Sequence, residues 1–329
     1  MPTARYAALQ SSYWSGFCLI VSFASVYLLG EGMSNAQIGL VIAVASAFAT
    51  VLQPLVAGVA ERSKWPLRLW IVAGGVLTAA LGATLLLPSG RGLLLAINYG
   101  LLIGAIQIVQ PLVNSIGMEL LNRGFRLNFG LARAFASFTF ALLSLAVGRV
   151  VEATSHRALP VLLIGVQLVF VVVAATFLFR RTPASGDRGA AVVAAPEPRP
   201  LDRAAWTRFS LLLVGFTLAM TSHNLISGFM YQIATSHGGG AGDMGIAVMI
   251  GALAELPTMI GFNLLARRWT PGVLMTVAGA AFALKSLATL LAPTWPACTA
   301  PRCCRSSRSG SSRRHRCTTS TGTSHPISG

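Results

Sequence analysis

Apolar residues in this chain come in long unbroken runs rather than in the alternating or one-sided patterns of water-soluble strands and helices. Runs of about 20 residues or more fall at 7–30, 36–60, 67–88, 93–121, 129–151, 158–179, 206–234, 244–266 and 272–292. At about 1.5 Å of rise per residue, each is long enough to cross a hydrocarbon core about 30 Å thick. The pattern predicts nine transmembrane helices in an all-α polytopic membrane protein. Turns rich in Gly, Pro, Ser and Asn separate them, as at 30–35, 88–92 and the run Gly238, Gly239, Gly240. The one long polar connection, 180–205, is rich in Ala, Pro and Arg and reads as a flexible linker. It divides a six-helix bundle over 1–179 from a second group, helices seven to nine, over 206–292. The first run is too long for a signal-peptide core and reads as helix one.

Composition agrees with this pattern. The 329 residues are 54% hydrophobic and 10% charged, with a mean hydropathy of +0.68, and the expected surroundings are a lipid bilayer. A formal net charge of +16 in a soluble protein would suggest nucleic acid. Here most basic residues flank apolar runs, so no nucleic-acid partner is expected. With the N-terminus in the cytoplasm, the inner side carries Arg5, Arg62, Lys64, Arg68, Arg123, Arg126, the arginines of the linker region at 180, 181, 188, 199, 203 and 208, and Arg267 and Arg268. The other side carries only Arg91, Arg149 and Arg157. That asymmetry orients the chain with its linker inside. Cys18 is the only cysteine before Cys298, so neither a disulfide framework nor a metal site supports the body of the fold. No cofactor motif occurs. With no H-E-x-x-H and no aspartate in any run, an intramembrane enzyme is disfavoured.

Two charges interrupt the last two runs. Glu255 and Lys285 lie about 12 and 14 residues from the basic turn at 267–271, which puts each roughly 18–21 Å deep. A lone charge at that depth costs on the order of 3 kcal/mol. Matching depth on successive antiparallel helices lets the two neutralise each other, either as a structural ion pair or as part of a substrate or proton site.

The halves also repeat. Residues 39–75 run apolar helix, charged turn with Glu61 and Arg62, Trp65, Pro66, then apolar helix; about 205 residues later 245–279 does the same through Arg267, Arg268, Trp269 and Pro271. A parallel repeat of six-helix halves is the signature of secondary transporters of the major facilitator type. The segment Asn128-Phe129-Gly130-Leu131-Ala132-Arg133 resembles the start of helix five in the lactose permease-like, oligosaccharide:proton symporter branch of that superfamily. The resemblance implies that Arg133 grips solute hydroxyls. Phe140 stands where that branch places a tryptophan against the sugar ring. Gln53-Pro54-Leu55 with Glu61 and Arg62 resembles its loop between helices two and three, a gating element, with Ala57 and Glu61 replacing the usual Gly and Asp. Gly279 followed by Lys285 has the spacing of its helix nine, and Glu255 resembles its helix-eight sugar-binding acid, displaced by about one turn. The implied fold is a major facilitator bundle with about nine of twelve helices.

Other polar positions extend the candidate site. Glu119 and Arg133 lie at similar depth near one end of helices four and five, and either pair or remain solvated end charges. Gln107, Gln110 and Asn114 recur at spacings of three and four and line a cavity. His223 and Asn224 fall mid-helix in the seventh run, where polar side chains line cavities or join helices; His223 is either a proton carrier or a packing histidine. Tyr13, Trp14, Asn98 and Tyr99 offer stacking and hydroxyl contacts, although most are expected to anchor helix ends at the interface.

After Trp295 the character changes: Cys298, Cys303, Cys304, Cys317 and six arginines stand among Ser and Thr, with no acid. No C-x-x-C spacing supports a metal site. Shifting the reading of 298–305 by one nucleotide permits Leu-Tyr-Gly-Ala-Gln-Met-Leu-Gln, an apolar helix opening. The expectation is a frameshift near 297 that replaced helices ten to twelve with a basic, disordered tail over 293–329. The expected function is transport of a small polar solute, sugar or oligosaccharide first, coupled to protons, by a monomer in a bacterial inner membrane. The alternatives are a nonfunctional remnant of such a transporter and a carrier of nucleosides or aromatic acids.

Overall fold

The computed structural model describes residues 2–87, 92–125, 127–177 and 203–291. The linker at 180–201 and the tail from 293 onward lie outside the described residues. Each of the nine runs contains a helix, and no strand occurs among the described residues. The backbone reason is general. With no water in a bilayer core, each N–H and C=O must be satisfied within its own segment, and a helix does this locally.

Two of the nine are broken. The first comprises α1 (Pro2–Phe17), a π-helical turn (Cys18–Ser22) and α2 (Ala24–Gly30), bent by 41°. The seventh comprises α8 (Arg203–Gly228) and α9 (Met230–Ser236), separated at Phe229. The unbroken helices are α3 (Asn35–Arg62), α4 (Leu67–Thr84), α5 (Leu93–Asn122), α6 (Phe129–Ala153), α7 (Ala158–Ala175), α10 (Ala241–Arg268) and α11 (Pro271–Leu291). Among the described residues, seven helices are long and apolar enough to cross a membrane, and the bent first pair makes eight. The apolar stretch of α11, Gly272–Leu284, is shorter.

Local chemistry sets the ends. Ser34 caps α3 through a full capping box: its hydroxyl accepts from the Gln37 N–H, and the Gln37 side chain accepts from the Ser34 N–H. Asn128 caps α6 by accepting from the Leu131 N–H at 3.0 Å. The repeat seen in the sequence has a structural counterpart. α3 and α10 are each 28 residues long with an internal proline, Pro54 or Pro257. Each is followed by a turn containing Trp and Pro and then by a second helix, α4 or α11.

The described residues, all of which lie before position 292, pack as one compact unit. The longest helix–helix interface joins α6 to α10; α1 packs against α5, α6 and α7, α3 against α5, and α4 against α5 and α7. The α6–α10 crossing is close because glycines meet there. A Cβ on Gly245 would stand 2.5 Å from the Ser144 carbonyl oxygen, and one on Gly148 would stand 2.6 Å from that of Ala241. The Ser144 hydroxyl also reaches the Gly245 carbonyl oxygen at 3.3 Å. By contrast, no residue of Phe209–Gly228 is buried; α8 is in contact chiefly with α11. Lipid tails are as apolar as Leu, so exposed Leu211, Val214 and Leu218 carry no solvation penalty in a bilayer.

Candidate functional site

The polar centre is assembled from α1, α5, α6 and α10. Arg133 lies one turn into α6, and its guanidinium carbon sits 3.8 Å from the centroid of the Trp14 ring on α1. Such a stack is worth ~0.5–2 kcal/mol, increasing as the pair is desolvated. Its position is fixed from below. The Trp14 indole N–H donates to the Gln10 side-chain oxygen at 3.1 Å. The Gln10 amide nitrogen donates to Tyr6 Oη at 2.6 Å and to Asn114 Oδ1 on α5 at 3.1 Å. Gln10 is fully buried, so these bonds are what make an amide tolerable there. Phe140 meets the Trp14 ring edge-on, with centroids 6.5 Å apart. Glu255 on α10 interacts electrostatically with Arg133, so the guanidinium has an aromatic face on one side and a carboxylate in its neighbourhood. Ser137 on α6 and Met259 on α10, 3.4 Å apart, add to the seam beside it.

The expected residues distribute around this centre unevenly. Arg133, Glu255, Asn114 and Phe140 come together. Gln107 turns instead toward α3: its amide donates to Ser46 Oγ at 3.2 Å, and its carbonyl oxygen accepts from Gln53 at 3.1 Å. Gln110 is half-buried on the same helix. Glu119 pairs with Arg123 one turn on, rather than across the turn with Arg133. Both are well exposed, which makes the contact a local surface pair. Glu61 and Arg62 are exposed at the end of α3. His223 is half-buried on α8, with its ring edge-on to Phe282 of α11 at 5.5 Å; Asn224 beside it is exposed. Lys285 belongs to α11, but its side chain lies outside the described residues, and with it the expected Glu255–Lys285 pair.

Two features go beyond the pattern of positions. The first is Trp14, one of the candidate stacking residues, which lies under Arg133 rather than anchoring a helix end. Tyr13 and Tyr99 likewise are not interfacial anchors: both are buried, donating to the Ile106 and Ile20 carbonyl oxygens at 2.9 and 3.0 Å. The signal available was the spacing of Tyr6, Gln10, Tyr13 and Trp14, which puts polar-tipped residues on adjoining faces of α1.

The second feature is at the far end of the bundle. His156 lies against Gly30, so close that a Cβ there would fall 2.3 Å from its ring, and its Nε2 is 3.0 Å from Glu31 Oε1. Arg157 adds a longer contact of 3.9 Å to the same carboxylate. At this end α2 is tied to α8 by Ser25 Oγ donating to the Gly228 carbonyl at 2.9 Å, and α3 to α9 by Gln232 donating to Asn35 Oδ1 at 3.3 Å. The first six helices and the later ones are therefore closed on each other at the Gly30 end.

The sequence profile of the MFS_1-like family matches residues 5–297, which spans the polar centre, the closed end and all eleven helices. The chain belongs to the MFS_1-like family. It is thus a secondary transporter of the major facilitator superfamily and an integral membrane protein. No curated protein and no solved structure matches this MFS_1-like chain.

Proposed function

We propose that this transporter moves a small neutral polar solute, a sugar or oligosaccharide first among them, together with protons across a bacterial inner membrane. The carrying observation is the Trp14–Arg133–Glu255 arrangement. A flat indole face lies under a guanidinium with several N–H donors, and a carboxylate acceptor on α10 acts on that guanidinium electrostatically. A sugar offers an apolar ring face and a rim of hydroxyls, which suit the indole and the two charged groups respectively. Asn114 and Phe140 border this site; Lys285 and Asn224 would be further solute contacts, and Glu119 would have to leave its surface pair with Arg123 to join them.

The halves, 1–179 and 206–292, would rock about this centre in alternating access, with the N-terminus and the linker in the cytoplasm and the monomer as the working unit. Glu255 and His223 would take the coupled proton, since protonating Glu255 removes the charge facing Arg133 and frees the guanidinium for the solute. The test is uptake into proteoliposomes under an imposed pH gradient, with Arg133→Gln and Glu255→Gln as site variants. Gradient-driven uptake lost in both variants is the expected result; gradient-independent uptake or undiminished variants would overturn the coupling or the site.

Trp14 also favours a second solute class, aromatic acids or nucleosides, whose planar rings would take the place of a sugar face. A different reading is a remnant that no longer transports. It draws on the exposure of α8 and on the change in composition after Trp295, the feature expected of a frameshift. Absence of any saturable uptake by correctly inserted protein favours it.

A further inference from the structure

At the Gly30 end a partly open cleft of about 340 Å³ is bordered by both groups of helices and does not include Arg133 in its lining. Its apolar wall is Val26, Leu29 and Val151; its polar groups are Glu152, His156 and Tyr231; Gly30 and Ala241 complete it. The volume is in the range of small-molecule sites, and an apolar wall with a few convergent polar groups is their usual make-up.

The charges around it are largely matched. The Glu31 carboxylate next to it is shared by His156 and Arg157. Glu152 lies against Gly242, so close that a Cβ on that glycine would fall 2.1 Å from its Oε2. Gly242 is in the first turn of α10, where the helix dipole favours a negative group. Glu31 is thus offset by two basic groups, and Glu152 sits at a helix N-terminus that it shares with Asp243, so no cation is left over in the described lining to call for an anionic ligand. The cleft does offer a phenol, an imidazole and carboxylate lone pairs at its polar side. That chemistry selects a neutral hydroxylated molecule of about one sugar ring.

We infer that this cavity is a second solute site, distinct from the central one, whose occupant bridges α2 and α6 to α9 and α10 and so holds the Gly30 end shut. The inference rests on the proposed transport of a neutral polar solute. Under the proposed orientation the cavity faces the outside, so high external solute slows the cycle by filling it. The site exists only while the two groups of helices are together, because Tyr231 and Ala241 are on one and His156, Glu152 and Gly30 on the other.

The experiment is equilibrium binding of radiolabelled methyl α-glucoside to the full chain in lipid nanodiscs. Two saturable sites per chain are expected. Arg133→Gln combined with Glu255→Gln should remove one, and Glu152→Gln combined with Tyr231→Phe should remove the other. Gly30→Ala, which drives the His156 ring from its place, should also remove the second. Tryptophan emission from the Trp14–Arg133 stack, unchanged in the Glu152 and Tyr231 variant, shows that it is folded. Loss of all binding on changing Arg133 and Glu255 overturns the second site and leaves the central one standing. A second site indifferent to Glu152, Tyr231 and Gly30 overturns it equally, as does absence of saturable binding in the unaltered protein. Two sites that both survive the Arg133 and Glu255 changes contradict the central assignment instead.

Discussion

Replacing Gly245 with alanine tests whether the α6–α10 seam holds the far end closed. The added methyl would stand 2.5 Å from the Ser144 carbonyl oxygen and 3.2 Å from Gly148 Cα. Neither neighbour is the flexible tip of a side chain, so the helices themselves must part by roughly 0.9 Å to restore an ordinary contact near 3.4 Å, forfeiting a quarter to a half of the dispersion energy of the contacts they share. Overpacking of this kind costs about 1–3 kcal/mol. If the closed end opens during transport, that cost falls on the closed state alone, and about 2 kcal/mol shifts the balance toward the open state roughly 30-fold. The assay is maleimide labelling of an Ala241→Cys reporter in a background with the five native cysteines replaced by serine. Ala241 is buried in the closed arrangement, so its labelling rate reports opening. Gly245→Ala should raise that rate about tenfold or more. An unchanged rate in a chain that retains its helical content would refute the claim that this seam sets the closed state.

Other predictions concern the centre and the frame. Trp14→Leu should release Arg133, remove a stack worth ~0.5–2 kcal/mol, and lower solute affinity; isothermal titration with the transported solute checks it, and unchanged affinity counts against Trp14. Glu255→Gln should abolish the dependence of uptake on the pH gradient while the thermal transition moves little, since Glu255 is exposed rather than buried; retained coupling would remove it from the proton path. Ser34→Ala breaks the capping box of α3 and should destabilise the chain by about 1 kcal/mol, read as a lower denaturant midpoint for loss of helical signal, with no effect on solute affinity.

The all-helical fold and the position of most helices were legible because a bilayer-spanning helix needs little more than length and apolarity. Of the nine expected runs, seven coincide with described helices long and apolar enough to cross, and the bent first pair adds an eighth. Breaks were not legible. Nothing in the composition of 7–30 distinguishes the π turn at Cys18–Ser22 from the helix around it, because the change is one of hydrogen-bond register. Arg133 and Glu255 stood out as charges in apolar runs, and the Glu255 carboxylate acts electrostatically on the Arg133 guanidinium. Depth along neighbouring helices suggested Glu119 for Arg133, but Glu119 pairs with Arg123 at the end of its own helix; the pairing it suggested for Glu255 with Lys285 lies outside the described residues. Depth fixes height in the membrane but not which helices face each other, and α6 packs against α10 although about 100 residues separate them in sequence. For the same reason Trp14 reads from the sequence as either a stacking residue or an interface anchor until its neighbours are known. His156 and Glu31, 125 residues apart, carry no joint signature in the sequence at all.

The central claim is that Arg133, seated on Trp14 and facing Glu255, is where the solute binds. Uptake of a radiolabelled solute panel into proteoliposomes, comparing the unaltered chain with Arg133→Gln under the same pH gradient, tests it most directly. The account predicts saturable, gradient-driven uptake of at least one neutral hydroxylated solute and its loss in the variant. Equal uptake by both proteins would contradict it.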